Sequence, residues 1–143
     1  MSTHVHHRPA TPTSRVALGV AVAVAVVISV IVNTGIAIGI TSLAPDGTRI
    51  GLMPVAYGPA TALGVLAGTA GWAAIRRYAS RPRAVLRVLV PGVLTLSFVP
   101  GIILLTAGNG LVNVVGLWGM HLVVALVTVT MASRFLPLAD KNI

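Results

Sequence analysis

The sequence predicts an all-α integral membrane protein, a bundle of four transmembrane helices. Three observations predict it. Of the 143 residues, 8% are charged and 56% are hydrophobic, whereas a soluble domain carries roughly 25% charged residues. Long uncharged runs alternate with short polar stretches, and about 20 apolar residues cross the ~30 Å hydrocarbon core of a bilayer. The net charge of +8 is confined to the short stretches, so we expect the lipid bilayer, and no nucleic acid, as partner.

Two spans are predicted in the first half of the chain. Helix 1 is expected over residues 16–40, which are nearly all Val, Ala, Ile and Gly. This run is too long for the 7–15-residue apolar core of a cleaved signal peptide, so we expect it to stay in the membrane. A Pro-Asp-Gly turn at 45–47 follows, because these three residue types favour a reversal of the chain. Helix 2 is expected over residues 52–75.

The second half must also contain two spans. Residues 88–133 hold a single ionisable side chain, His121. As one helix they would measure about 69 Å, twice what a bilayer holds. A Gly-Asn-Gly sequence at 108–110 is the natural break. It divides the run into helix 3, expected over residues 84–107, and helix 4, expected over residues 111–133.

The cations predict the orientation. The structured domain is expected over residues 16–133, between a disordered cytoplasmic tail at 1–15 and a short polar cytoplasmic tail at 134–143. All but one of the ten Lys and Arg residues lie in the tails or in the loop between helices 2 and 3, and the exception is Arg49. Because cytoplasmic loops carry the excess of cations, both termini are predicted to be cytoplasmic in a multi-pass protein of the plasma membrane.

His121 is the first candidate functional residue, since an ionisable side chain within a span is costly unless it has a role or a partner. Counting from the helix ends places Ser97 and Ser29 near the same depth. We therefore expect an intramembrane hydrogen-bonded layer of His121, Ser97 and Ser29. His121 would tie helices together, or handle protons or a ligand. No metal site and no cofactor are predicted, because a second ligand for His121 is lacking.

A second polar group is expected in the outer half of the bundle. These residues would line an outward-facing cavity or, in the interpretation that we favour, cap helix ends and satisfy backbone groups near the interface. The group consists of Asn33, Thr34, Tyr57, Thr61, Asn109 and Asn113.

The loop between helices 2 and 3 is the third candidate. Clustered cations beside an anionic membrane gain about 1 kcal/mol each, so this loop is expected to contact lipid head groups. The alternative is that the cations only set the topology. The cations are Arg76, Arg77, Arg81, Arg83 and Arg87.

Small residues recur four apart in helices 1 and 2, for example Ala21 with Ala25 and Gly64 with Gly68. Such spacing allows helices to approach closely, within the chain, in a homo-oligomer or against a partner in a membrane complex. Cysteine is absent, only two acidic residues occur, and no catalytic motif is present, so no catalytic residues are assigned. We expect a non-enzymatic packing or interaction component; the alternative is a small transporter or channel-like protein with His121 on a proton or substrate path.

The segments at 119–125 (GMHLVVA) and 132–137 (ASRFLP), together with an Arg-Pro-Arg loop and a Pro-containing third helix, resemble an actinobacterial family of four-helix membrane proteins. The family is the domain of unknown function 6069. The resemblance covers nearly the whole chain. It implies a four-helix fold in the plasma membrane, attaches no activity, and draws attention to His121.

Overall fold

The computed structural model describes residues 15–47 and 49–138, and within these ranges the chain is helical apart from its turns. The helices are α1 (Arg15–Leu43), α2 (Pro54–Tyr78), α3 (Pro82–Ser97), α4 (Val99–Thr106) and α5 (Leu111–Phe135). One residue separates α3 from α4, and together they form a single span, Pro82–Thr106. The described part thus has four helices long and apolar enough to cross a membrane, which confirms the predicted all-α four-helix fold. The predicted tails lie largely outside the described residues.

Prolines mark the helix starts. α2 begins at Pro54 and α3 at Pro82, each with its proline in the first turn. The missing N–H costs nothing there, because the first N–H groups of a helix have no intrahelical acceptor. α2 therefore begins two residues after the predicted start at 52, and α3 begins two residues before the predicted start at 84. The structure extends α1 to Leu43, three residues beyond the expected end.

The third span is interrupted at Phe98. Pro100 lacks the N–H that would bond the carbonyl of Leu96, so the α-helical ladder cannot continue unbroken. The Phe98 N–H bonds the carbonyl of Thr95 instead, at 3.1 Å. The indole Nε1 of Trp118 donates to the Phe98 carbonyl, also at 3.1 Å, and the two rings pack with centroids 5.6 Å apart. The break is thereby anchored to α5.

α5 lies at the centre of the bundle and contacts each of the other helices. α1 packs on α2 and α5, whereas α3 packs on α2 and α5 and α4 packs on α5. Within the described ranges, α2 and α4 do not contact each other. The third span therefore approaches α2 near the α2–α3 turn and diverges from it toward the opposite end.

Small side chains hold the first, second and fourth spans together. The buried residues of α1 are spaced by four and form one stripe: Ala21, Ala25, Ser29, Asn33 and Ala37. On the parallel helices α2 and α5, Gly64 faces Val124 and Gly68 faces Thr128. At these positions the small residues predicted to allow close approach find their partners within the chain.

Gly116 allows the closest approach of α5 to α1. It is buried, and a Cβ atom added to it would lie 2.6 Å from Cγ1 of Ile40. Cγ1 is attached directly to the branched Cβ of Ile40, so it cannot swing aside freely. A side chain at this position would separate the two helices.

We predict that Gly116→Ala lowers the free energy of unfolding in mixed micelles by about 1–3 kcal/mol, the range typical of an overpacked contact. Gly119→Ala on the same helix is the matched control, because its Cβ would meet Ile36 Cδ1 at an ordinary 3.7 Å. The control should stay within about 1 kcal/mol of the parent. Equal stabilities for the two variants would contradict this account of the α1–α5 interface.

Candidate functional site

A crevice of about 600 Å³ lies between α2, α3 and α5. Pockets that hold small molecules in proteins span roughly 300–1,000 Å³. The α2 wall is formed mainly by Ala and Gly, and the α3 wall by Leu and Val. Because α2 and α4 do not touch within the described ranges, the crevice opens sideways between the second and third spans.

One end of the crevice is closed by a hydrophobic cluster near the α2–α3 turn. Trp72, Leu86, Ala132 and Leu136 pack together there. The indole Nε1 of Trp72 donates to the Leu136 carbonyl at 3.0 Å. These contacts join the second and third spans to the end of α5.

A polar level crosses the bundle about halfway along the crevice. Asn33 Nδ2 donates to Thr61 Oγ1 at 2.8 Å. In the register of α2 with α5, where Gly64 faces Val124, Thr61 is level with His121. The crevice is lined at this level by Asn33, Thr61 and His121, and Ser97 also belongs to its lining.

His121 has an exposed side chain and a defined tautomer in its neutral form. Its Nδ1 lies 2.7 Å from the carbonyl oxygen of Leu117, one turn earlier on α5. A carbonyl only accepts, so neutral His121 carries its hydrogen on Nδ1 and presents the lone pair of Nε2. The crevice therefore receives a hydrogen-bond acceptor from His121.

The predicted hydrogen-bonded layer of His121, Ser97 and Ser29 does not form. Ser97 Oγ donates to the Leu94 carbonyl of its own helix at 2.7 Å, and Ser29 Oγ is buried without a partner. Of these three residues, His121 and Ser97 line the crevice and Ser29 is not in its lining. Ser29 lies one turn, about 6 Å, from the level of Asn33. The cause is helix length: α1 has 29 residues and α5 has 25, so their midpoints do not coincide.

The outer polar residues divide into two sets. In the first, which joins α1 to α2, Thr34 Oγ1 donates to the Val30 carbonyl and lies 2.8 Å from the Tyr57 hydroxyl. Tyr57 must then donate to Thr34, because the Thr34 hydrogen is already used. In the second, Asn109 Nδ2 bonds the Leu104 carbonyl at 2.9 Å and Asn113 Nδ2 bonds the Ile50 carbonyl at 3.3 Å.

The five arginines lie around the α2–α3 turn, at the closed end of the crevice, and are exposed. Arg83 donates to the Leu138 carbonyl at 3.1 Å, and Arg77 lies 5.5 Å from the ring centroid of Tyr78. None of the five lines the crevice. They form a cationic rim next to it, and their contact with lipid head groups stays a prediction.

The sequence interpretation missed the crevice and the role of Thr128. Thr128 is buried on α5, lines the crevice, and its Oγ1 has no hydrogen-bond partner, like Oδ1 of Asn33. The available signal was the α2 face, where Ala60, Gly64 and Gly71 recur at helical spacing. Among the described residues, no group of three or more His, Cys, Asp or Glu side chains could hold a metal ion.

Comparison with known proteins identifies the family. The model of a family of unknown function, the domain of unknown function 6069, matches residues 7–137. The chain belongs to this family. The match extends over all four spans, so the crevice of this family member lies wholly within the matched region. No curated protein and no solved structure matches the chain.

We predict that the Asn33–Thr61 hydrogen bond couples α1 to α2 by about 0.5–1.5 kcal/mol, the range for polar contacts between membrane helices. The measurement is a double-mutant cycle of Asn33→Leu and Thr61→Val on the free energy of unfolding. Thr95→Val is the matched control, since Thr95 donates to the Pro91 carbonyl of its own helix. The effects of Asn33→Leu and Thr95→Val on the free energy of unfolding should simply add. A coupling energy between Asn33 and Thr61 no larger than that between Asn33 and Thr95 would contradict the prediction.

Proposed function

We propose that this protein is a non-enzymatic membrane protein that takes a lipid-soluble molecule from the bilayer into the crevice between α2, α3 and α5. The observation that carries the proposal is the crevice itself, about 600 Å³ in volume and lined largely by apolar side chains. Binding would be the first step of a transporter with His121 on the substrate path.

The sideways opening supports uptake from the lipid phase. Leu89 and Val93 of α3 line the crevice and are 44% and 56% exposed. In a membrane these side chains face hydrocarbon, so an apolar molecule would enter without crossing a polar surface. It would replace lipid tails that fill the crevice poorly, and close packing is the main source of affinity inside a bilayer.

The small residues of the bundle are used in two ways. Ala25 is 3% exposed, Gly64 and Gly68 meet α5, and Gly116 meets α1, so these residues have partners within the chain. Gly35 and Gly39 of α1 are exposed with open space around them. The side of α2 toward the crevice also has no covering helix, and this open side supports the binding proposal.

We also propose that the protein lies in the plasma membrane of an actinobacterium, with both termini cytoplasmic. The resemblance described above supports the membrane and the source. The cationic rim supports the orientation, because the five arginines at the α2–α3 turn and the outermost residues of α1 and α5, Arg15 and Arg134, lie at one end of the bundle.

The binding proposal is tested by photolabelling the full chain in lipid nanodiscs with dodecane that carries a terminal diazirine. We expect saturable labelling of crevice residues that excess dodecane competes away. Ala67→Phe should reduce it at least severalfold, because Ala67 lines the crevice and a phenyl ring would fill it.

Ala70→Phe is the matched control, since Ala70 is exposed on the same helix outside the crevice lining. It should label like the parent protein. Labelling that rises linearly with probe, resists competition and is unaffected by Ala67→Phe would show ordinary contact with lipid and overturn the proposal.

The orientation is tested with single cysteines, which the cysteine-free chain readily accepts. Asp46→Cys and Ser80→Cys place exposed thiols in the turns at opposite ends of the bundle. A membrane-impermeant maleimide should label Asp46→Cys in intact cells and Ser80→Cys only after the cells are opened. The reverse pattern would place both termini outside.

A further inference from the structure

We infer that the molecule bound in the crevice is uncharged and carries a hydroxyl group at one end of an apolar chain. The hydroxyl lies at the level of His121 and the chain extends toward Trp72. This inference rests on the proposed function, because it assigns the ligand class of the same crevice.

The polar groups on the crevice surface offer acceptors. In neutral His121 the Nδ1 hydrogen is committed to the Leu117 carbonyl, so Nε2 presents a lone pair. The hydroxyl hydrogen of Ser97 is committed to the Leu94 carbonyl, so Ser97 Oγ also presents lone pairs. Both residues line the crevice. His121 and Ser97 therefore both offer acceptors, which a ligand group that donates would complement.

The buried Asn33 adds a third acceptor at this level. It is 1% exposed and lines the crevice. One hydrogen of its Nδ2 is donated to Thr61, while its Oδ1 has no partner. A buried acceptor without a donor is costly, and a hydroxyl at this level would place a donor within the polar region.

The absence of charged residues argues for a neutral ligand. Among the described residues, neither a cationic nor a carboxylate side chain lines the crevice. A phosphate or carboxylate would therefore meet no opposite charge there. An ammonium would meet lone pairs but no counter-ion, and moving a charge out of water without a counter-ion is far more costly than moving a hydroxyl. The cationic rim cannot supply the partner, because its arginines lie outside the lining.

The dimensions give the length of the apolar chain. Thr61 is level with His121, and Trp72 follows Thr61 by 11 residues on α2, which corresponds to about 16 Å along the helix. Over this distance α3 contributes Leu86 and Val90, and the end is closed by the Trp72 cluster. A straight chain of about twelve carbons fits this length, and its tip would reach the closed end.

The test uses competition against the diazirine-terminated dodecane in nanodiscs. The competitors are 1-dodecanol and 1-methoxydodecane, which differ in the hydroxyl donor, each expressed as a mole fraction of the bilayer. His121→Phe should raise the half-competing fraction of 1-dodecanol threefold to tenfold, the value of one lost hydrogen bond. The half-competing fraction of 1-methoxydodecane should change less, because this ether has no hydrogen to donate. Saturable labelling of the variant by the probe shows that it is folded. Ser97→Ala should also raise the half-competing fraction of 1-dodecanol more than that of 1-methoxydodecane.

The outcomes separate the two proposals. If both compounds compete and neither variant discriminates between them, the hydroxyl inference is wrong and the crevice proposal stands. If dodecanoate competes better than 1-dodecanol, the ligand is an anion and the inference is overturned. If His121→Phe abolishes competition by both compounds, the Ser97→Ala variant is decisive. A higher half-competing fraction of 1-dodecanol in that variant supports the hydroxyl inference, and an unchanged fraction overturns it. Labelling that no compound competes away would overturn the proposed function itself.

Discussion

The close packing of α5 on α1 and α2 is the contact on which the rest of the structure depends. Lipid tails are as apolar as the side chains, so burial supplies little force between membrane helices, and packing must supply it. Gly116 against Ile40 and Gly68 against Thr128 provide that packing. Gly64 and Gly68 of α2, which allow α5 to approach, also leave a shallow wall toward α3. The crevice is therefore a consequence of how the first, second and fourth spans are joined.

The four spans could be predicted from the sequence because each depends on a local quantity, the length of an uncharged run. The depth of Ser29 could not, because it depends on how far α1, with 29 residues, extends beyond its neighbours. The choice of Asn33 as the partner of Thr61 is a matter of register between helices. The crevice depends on the divergence of α4 from α2, which no periodicity in the sequence encodes.

Hydrogen-bond geometry, more than composition, determines what the polar residues can do. His121 and Ser97 both donate to carbonyls of their own helices, as polar side chains in membrane helices often do to remain satisfied. That local satisfaction leaves these two side chains with lone pairs for any further hydrogen bond. His121 could be named as a candidate from its residue type alone, but the direction of its hydrogen bond required the backbone of α5. The polarity of the site thus follows from a helical carbonyl, that of Leu117.

The lack of contact between α1 and the third span divides the bundle into two mechanically distinct parts. Three helices form a close-packed frame, and the third span leans against it through α5 along its length and through α2 near one end. The break at Phe98 is tied to Trp118 of α5. Within the described ranges, α4 contacts α3 and α5 but neither α1 nor α2. Substitutions on its outer face can therefore be accepted without repacking the three-helix frame.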